Sequence, residues 1–259
     1  MIDNPVRRKL LAGGSSLGMM AMEFFTPGFA RLIAAAGAEF VILDTEHSGA
    51  GIETLKSCIA YARAAAIVPM VRVPGLARHL ISPVLDAGAQ GIMVPMMETA
   101  AQARDLVAWS RYRPEGTRGL AFGIAHDDYA PAPVADAMRA ANEAILTIAL
   151  IETETGLNNA AEILAVPGID LAWLGHFDLT DSLGIVGQFD HPRYLEAEAA
   201  LLAAAKAAGK PLGWLPADGA QARAALARGF RCLCLNTDTG LFRAAATREF
   251  GIARSDLNG

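Results

Sequence analysis

The sequence predicts a (β/α)₈ barrel (TIM barrel), the α/β fold in which eight parallel strands alternate with helices. Eight short apolar runs alternate with Ala-rich amphipathic stretches along 259 residues, which is the size and rhythm of this fold. The runs lack polar alternation, as expected of strands covered on both faces. An open doubly wound sheet is the alternative, but no Gly-rich dinucleotide-binding turn follows the first strand.

Each strand is placed where an apolar run ends at turn residues, and helices with an apolar face fill the gaps. The predicted strands cover residues 17–22, 40–44, 68–72, 91–95, 145–152, 171–175, 211–215 and 232–236. The predicted helices cover residues 29–36, 52–65, 76–87, 100–109, 158–164, 192–208, 220–227 and the chain from 241 onward. Glycines that suit helix C-terminal caps follow the helices, namely Gly37, Gly88, Gly168, Gly209 and Gly229.

One connection, residues 110–144, is longer than a βα loop needs. A connection of this length is typical of a functional loop or lid, and we predict a short helix over residues 134–144 within it. No internal repeat or linker divides the chain, so we predict a single domain over residues 1–259.

Composition argues against several classes of function. Hydrophobic residues make up 53% of the chain and the net charge is −5, so we expect a large core and no nucleic-acid partner, since such proteins use basic patches. No apolar segment reaches the length of a membrane span and no signal peptide opens the chain, so we expect no membrane partner. Cys232 and Cys234 lie in one apolar run and Cys58 lies in a helix, which favours buried thiols and a cytoplasmic location over a disulfide or zinc site.

Ionisable residues gather where the predicted strands end. They are Asp44, Glu46 and His47 after strand two, Arg72 at strand three, Glu152 at strand five, and His176 and Asp178 after strand six. Buried inside a core, each of these groups would need a partner. The carboxyl ends of barrel strands converge on one mouth, so we predict the functional site there.

Glu152 and Asp178 end neighbouring strands, so their carboxylates are expected within reach of one ion. Two carboxylates and water oxygens suit a hard divalent cation such as Mg²⁺ or Mn²⁺ and leave positions for a chelating substrate. Alone, each carboxylate is better explained as a helix N-cap or a salt bridge. Together, at adjacent strand ends, they predict a metal site.

His47 is a candidate metal ligand, general base or packed loop histidine, since an imidazole titrates near neutral pH. Arg72 fits a substrate carboxylate or an enolate oxygen, and a structural salt bridge explains it equally well. Asp44 and Glu46 share the face of an extended strand opposite His47, so we expect them to hold water or the loop. No lysine ends a predicted strand, which disfavours a Schiff-base mechanism.

Several motifs, in this order along the chain, resemble those of the HpcH/HpaI aldolases, which are class II, metal-dependent pyruvate aldolases. The resemblance runs from about residue 5 to about residue 250. The motifs are Leu43-Asp44-Thr45-Glu46-His47, Val71-Arg72-Val73-Pro74, Val94-Pro95-Met96, residues 111–119, Ile151-Glu152-Thr153 and Asp178-Leu179-Thr180.

The resemblance implies a barrel in a homo-hexamer, with the last helix exchanged between paired subunits. It implies reversible cleavage of a 4-hydroxy-2-oxo acid to pyruvate, or hydroxypyruvate, and an aldehyde. Glu152 and Asp178 would ligate Mg²⁺, Mn²⁺ or Co²⁺, and the backbone amides of Phe177 and Asp178 would hold the substrate carboxylate. His47 would be the base, and Arg72 would stabilise the enolate.

Asp86 matches the family's carboxylate that raises the basicity of this histidine. It follows a helix and precedes strand four, so we expect it near the bottom of its own barrel. It therefore cannot easily reach His47 of the same chain, and we predict that a neighbouring subunit supplies it.

The chain also departs from the family pattern. His176 and Phe177 stand where many members carry Pro and Ala or Asn, and Leu150 stands where many carry Gln, so the donor or the aldehyde accepted is expected to differ. A citrate-lyase-like or acyl-CoA lyase is one alternative, although basic clusters near the mouth are sparse. A non-catalytic 2-oxo-acid-binding protein is the other, although binding alone would not need a base.

Overall fold

The computed structural model describes residues 3–130 and 132–255, with eight parallel strands that close into a barrel in sequence order. The strands are β1 (Ser16–Ala21), β2 (Phe40–Asp44), β3 (Val68–Arg72), β4 (Gly91–Val94), β5 (Leu146–Ile151), β6 (Leu171–Leu174), β7 (Leu212–Trp214) and β8 (Cys232–Thr237). β1 pairs with both β2 and β8, which closes the sheet. The predicted (β/α)₈ fold is confirmed.

Helices surround the barrel at nearly the predicted positions. They are α1 (Pro5–Leu11), α2 (Pro27–Ala35), α3 (Ile52–Ala64), α4 (Arg78–Asp86), α5 (Ala100–Ser110), α6 (Val134–Ala144), α7 (Glu154–Asn158), α8 (Ala160–Leu164), α9 (His176–Ser182), α10 (Pro192–Ala207), α11 (Gly219–Arg228) and α12 (Asp238–Ser255). The single helix predicted over residues 158–164 is wrong, because the chain forms α7 and α8 on either side of Asn159. The sequence did not predict α1 or α9.

Two apolar layers hold the fold together. Inside the barrel, side chains from alternate strand positions fill the interior, including those of Met20, Met93, Leu150 and Trp173 towards the mouth. Outside it, the opposite strand faces pack against the helices. Such a filled interior leaves only the two ends of the barrel open to ligands.

The three cysteines are free thiols and all are buried, as predicted. Burial raises the pKa of each thiol. Across the part of the chain that the structure describes, no helix has the length and apolarity that crossing a membrane requires.

The long connection between β4 and β5 is fastened to the helical layer. Arg118, which is buried, donates to Asp86 at the end of α4 over 2.6 Å and stacks on the Tyr112 ring at 4.7 Å. Arg63 of α3 donates to the Ala125 carbonyl oxygen further along the connection. The predicted helix in this connection is confirmed as α6, whereas its role as a functional loop or lid stays a prediction.

Candidate active site

A cavity of about 390 Å³ opens at the carboxyl ends of the strands. It brings together residues that the sequence assigned to the site, namely His47, Arg72, Glu152, Phe177 and Asp178. Residues at the end of β3, just after β2 and β5, and at the start of α9 therefore meet at one mouth, as parallel strands of a closed barrel require.

Asp44, the last residue of β2, organises one side of this mouth. It is fully buried, and its carboxylate accepts a 2.7 Å hydrogen bond from Nε of Arg72. The same carboxylate accepts hydrogen bonds from the backbone amides of Glu46 and His47, each with a donor–acceptor distance of 3.1 Å. Asp44 therefore holds the loop, as predicted, and fixes Arg72 as well.

Arg72 is held on two sides. Its Nη1 lies 3.2 Å from the Glu46 carboxylate, and its Nε is bound to Asp44. Burial opposes the charge, but the carboxylates of Asp44 and Glu46 outweigh burial and raise the pKa of Arg72. The salt bridge considered from the sequence is therefore present. The remaining nitrogen, Nη2, makes no hydrogen bond or ion pair within residues 3–130 and 132–255, so it is available to a ligand.

His47 lies beside this pair with its ring turned to the cavity. Its side chain is 55% exposed, and Nε2 lies 3.8 Å from the Glu46 carboxylate. Burial raises the pKa of Glu46, with opposing contributions from Arg72 and His47. An accessible imidazole next to a carboxylate is suited to accepting a proton from a bound molecule.

Glu152 follows β5 and is buried at the opposite side of the mouth. Its Oε1 accepts a 2.7 Å hydrogen bond from the amide of Met96, whose φ of 53° lies in the left-handed region. Burial raises the pKa of Glu152 to about 7, and repulsion by Asp178 and Glu46 adds to the rise. Two carboxylates, those of Glu152 and Asp178, thus line the cavity near a third from Glu46, and Arg72 is the cation that lowers the pKa of Glu152.

The carboxylates of Glu152 and Asp178 fit a divalent cation. Their mutual repulsion is the kind that a bound cation relieves, and oxygen donors suit Mg²⁺, Mn²⁺ or Co²⁺. Oε2 of Glu152 points at Gly175, where a side chain would intrude. In the described part of the chain no group of three or more His, Cys, Asp or Glu residues forms a metal cluster. A cation held here would have two carboxylate ligands from this chain, and its other coordination positions would be left to water and substrate.

The remainder of the cavity wall is mostly apolar, apart from Thr237 and the imidazole of His176. Met20, Leu150 and Trp173 form its floor, and Leu215 and His176 form part of its side. Burial lowers the pKa of His176 to about 4, so its imidazole is neutral at physiological pH.

Asp86 is the one predicted catalytic residue that the structure places elsewhere. It ends α4, pairs with Arg118 and does not line the mouth cavity. This agrees with the expectation that Asp86 cannot serve His47 of its own chain, and its catalytic role stays a prediction.

Two features of the site were missed by the sequence reasoning, the Met96 amide and the bare backbone of Gly175. The motif Val94-Pro95-Met96 contributes to the family resemblance, but the resemblance assigns no role to its backbone. Nothing in it signals a left-handed residue that turns an amide towards Glu152. The glycine after β6 was a usable signal, because glycine at a strand end often marks a close approach.

Comparisons with known proteins show which family this chain is similar to. The profile of the family described as HpcH/HpaI aldolase/citrate lyase matches residues 19–245. The 2-keto-3-deoxy-L-rhamnonate aldolase of Klebsiella pneumoniae is 33% identical over 99% of this chain and 95% of its own length. The hydroxypyruvate/pyruvate aldolase of Delftia acidovorans is 35% identical over 97% and 93%. A crystal structure of an HpcH/HpaI aldolase from Desulfitobacterium hafniense superposes with a TM-score of 0.92 at 30% identity, covering 96% of each chain.

Proposed function

The chain belongs to the HpcH/HpaI aldolase/citrate lyase family, and from this premise we propose that it is a divalent-metal-dependent aldolase. It reversibly cleaves a 4-hydroxy-2-oxo acid to pyruvate, or hydroxypyruvate, and an aldehyde. The observation that carries the proposal is the meeting of His47, Arg72, Glu152 and Asp178 at one cavity. A protein that only bound 2-oxo acids would not need an exposed imidazole beside the guanidinium and carboxylate groups of the cavity.

Cleavage begins at the 4-hydroxyl group of the substrate. His47 accepts the hydroxyl proton, the C3–C4 bond breaks, and the aldehyde carbonyl forms. The electron pair of the broken bond stays on the other fragment as the enolate of pyruvate. A proton delivered to C3 then gives pyruvate, and the reverse sequence forms the C–C bond. His47 is suited to both directions because its ring is exposed to the cavity.

Arg72 stabilises the negative charge that develops on oxygen during this step. Its Nη2 has no partner among the residues that the structure describes and is available for that purpose, while Asp44 and Glu46 hold the rest of the guanidinium group in place. A donor fixed before the reaction costs no reorganisation when the charge appears.

Glu152 and Asp178 would hold Mg²⁺, Mn²⁺ or Co²⁺. When bound, the cation supplies positive charge where the enolate oxygen develops. The amides of Phe177 and Asp178 lie in the first turn of α9 and lack acceptors within the helix, so they are placed to donate to the substrate carboxylate.

The quaternary structure expected from the resemblance is also part of the proposal. We expect a homo-hexamer in which α12 packs on a paired subunit. Phe242 and Phe250 of α12 are 64% and 63% exposed in the single chain, which supports a partner surface for this helix.

Deuterium exchange into the methyl group of pyruvate tests the proposal without knowledge of the aldehyde. We expect the metal-stripped protein to be inactive and Mn²⁺ or Mg²⁺ to restore exchange. Proton NMR of the pyruvate methyl signal measures the exchange. Asp178→Asn should abolish the restored exchange. Asp181→Asn, a matched change at an exposed carboxylate one turn later in α9, should retain it. Absence of metal-dependent exchange in the wild-type protein would refute the aldolase assignment.

A further inference from the structure

We propose that His176 selects the aldehyde and that the acceptor aldehyde is an aryl aldehyde whose ring carries a hydroxyl group. This inference rests on the proposed aldolase function and extends it to the substrate class. The carrying observation is that His176 stands between the catalytic cavity and a second cavity beside it.

The two cavities share His176, Phe177 and Leu215 in their walls. The second cavity, about 780 Å³ in volume, continues away from the catalytic cavity towards α10 and α12. In the aldol product C4 is the former aldehyde carbon, and the substituent that it carries must extend from the catalytic residues along one side of the cavity. The side formed by these three residues has the second cavity directly beyond it.

The wall shared by the two cavities carries an aromatic cluster centred on His176, whereas other parts of the second cavity are polar and include Asp190, Gln221 and Arg243. The His176 ring centroid lies 4.5 Å from that of Phe177, 5.3 Å from that of Phe189 and 5.7 Å from that of Trp214. Phe177 is nevertheless 62% exposed, so a large apolar face is left uncovered next to the catalytic residues. A planar apolar ring inserted here would make the edge and offset contacts that aromatic groups prefer.

The imidazole of His176 adds one polar group to this wall. Neither of its ring nitrogens makes a hydrogen bond with a residue in the described ranges 3–130 and 132–255. A ligand group that pairs with one of these nitrogens gains a hydrogen bond that the protein does not supply, and so gains affinity. A hydroxyl on the aryl ring can donate to one nitrogen or accept from the other, which gives the imidazole its missing partner.

Small polyhydroxylated aldehydes fit this wall poorly. They would place hydroxyl groups against Phe177, Phe189 and Trp214, which offer no hydrogen bonds apart from the indole N–H of Trp214. That indole nitrogen is buried without a partner in the described structure. The second cavity would also stay unused by a short aldehyde.

The test measures aldol addition of pyruvate, with Mn²⁺, to 3-hydroxybenzaldehyde, benzaldehyde and glycolaldehyde. We expect the wild-type kcat/KM to fall in that order. His176→Phe keeps a ring and removes the hydrogen bond, so the preference for the hydroxylated over the plain ring should fall about tenfold, as one neutral hydrogen bond would give. His176→Ala removes the ring as well, so the preference for benzaldehyde over glycolaldehyde should also fall, by about tenfold.

His79→Phe is the matched control, the same substitution at an exposed histidine on α4, and should leave both preference ratios at wild-type values. The inference is overturned if wild-type enzyme favours glycolaldehyde over both aryl aldehydes, or if the His176 variants keep the wild-type ratios. Exchange of the pyruvate methyl protons distinguishes failure of the proposed aldolase function from failure of the proposed aldehyde preference. A wild-type protein without exchange refutes the aldolase function, whereas one that exchanges but accepts no aryl aldehyde refutes only the present inference.

Discussion

The Asp44 carboxylate binds Nε of Arg72 over 2.7 Å from a position that is wholly shielded from solvent. The other oxygen of that carboxylate accepts a hydrogen bond from the backbone amide of His47. One buried acid therefore positions the guanidinium and the imidazole that we assign to the chemistry. It does this without lining the cavity itself.

Replacing Asp44 should damage stability and turnover together. Asp44→Asn leaves Arg72, whose side chain is only 11% exposed, without its buried counter-charge. We expect the free energy of unfolding to fall by about 3 kcal/mol. Loss of orientation at Arg72 and His47 should lower kcat by about 10²-fold. Denaturant unfolding and pyruvate release measure the two effects.

Asp136→Asn provides the control, because the Asp136–Arg139 pair is exposed on both sides. That change should cost less than about 1 kcal/mol and leave kcat unaltered. Wild-type turnover in Asp44→Asn would contradict the positioning role.

Much of the site was predictable because a closed parallel barrel brings strand ends together whatever the side chains are. Apolar runs located β2, β3, β5 and β6, and the ionisable residues after them had to share one mouth. The contacts within the mouth were less predictable. The bond from Asp44 to Arg72 depends on the register that pairs these residues across β2 and β3, which the residue order alone does not define.

The aromatic wall around His176 could not be derived from the sequence. Phe189 precedes α10 and Trp214 ends β7, so their approach to His176 depends on how two separate loops fold over the mouth. The short helix α9 escaped prediction for a related reason. Its seven residues are too few for an amphipathic period to stand out.

The metal-free protein should lose stability as the pH rises, through Glu152. Its pKa is raised from 4.5 to about 7 in the folded state, mainly by burial. The proton is therefore bound more tightly after folding. This stabilisation is fully present below pH 4.5 and is lost as the pH rises through about 7. Its size is up to about 3 kcal/mol.

Thermal unfolding of the metal-free protein from about pH 4 to about pH 8 checks this dependence. Glu152→Gln should flatten the pH dependence. Glu154→Gln, which alters an exposed partner of Arg193, should keep the wild-type profile. Mn²⁺ should stabilise the wild-type protein more at the alkaline end, because the cation and the proton compete for the same carboxylate. Identical profiles for wild type and Glu152→Gln would contradict the assignment.

Gly175 keeps space for the Glu152 carboxylate. A β-carbon on residue 175 would lie 2.4 Å from Oε2 and 2.5 Å from Cβ of Glu152. Gly175→Ala should therefore displace Glu152 and weaken Mn²⁺ binding by about 10- to 100-fold, measured by isothermal titration calorimetry. Gly28→Ala, at a helical glycine with no heavy atom within 4 Å of the added carbon, should bind Mn²⁺ as the wild type does. Equal affinities for the two variants would show that Gly175 has no such role.

Asp86 and His47 offer a test of catalysis shared between subunits. Within one chain Asp86 pairs with Arg118, away from the mouth cavity. If a neighbouring subunit supplies Asp86 to His47, then His47→Ala and Asp86→Asn should each be inactive alone. Mixed assemblies of the two variants should regain activity, because one chain provides the intact histidine and the other the intact aspartate. Random pairing across a two-fold interface predicts roughly a quarter of wild-type activity.

The matched control mixes His47→Ala with Arg72→Ala. His47 and Arg72 line the same cavity of a single chain, so no mixed assembly can contain a complete site built from these two chains. That mixture should stay inactive. Asp86→Asn keeps an oxygen that can accept the hydrogen bond of Arg118 but removes the counter-charge of that guanidinium, which is 1% exposed, so denaturant unfolding must show that the variant is folded before it is mixed. Full activity of Asp86→Asn with an unaltered pH profile, or no recovery on mixing it with His47→Ala, would confine Asp86 to its ion pair within the chain.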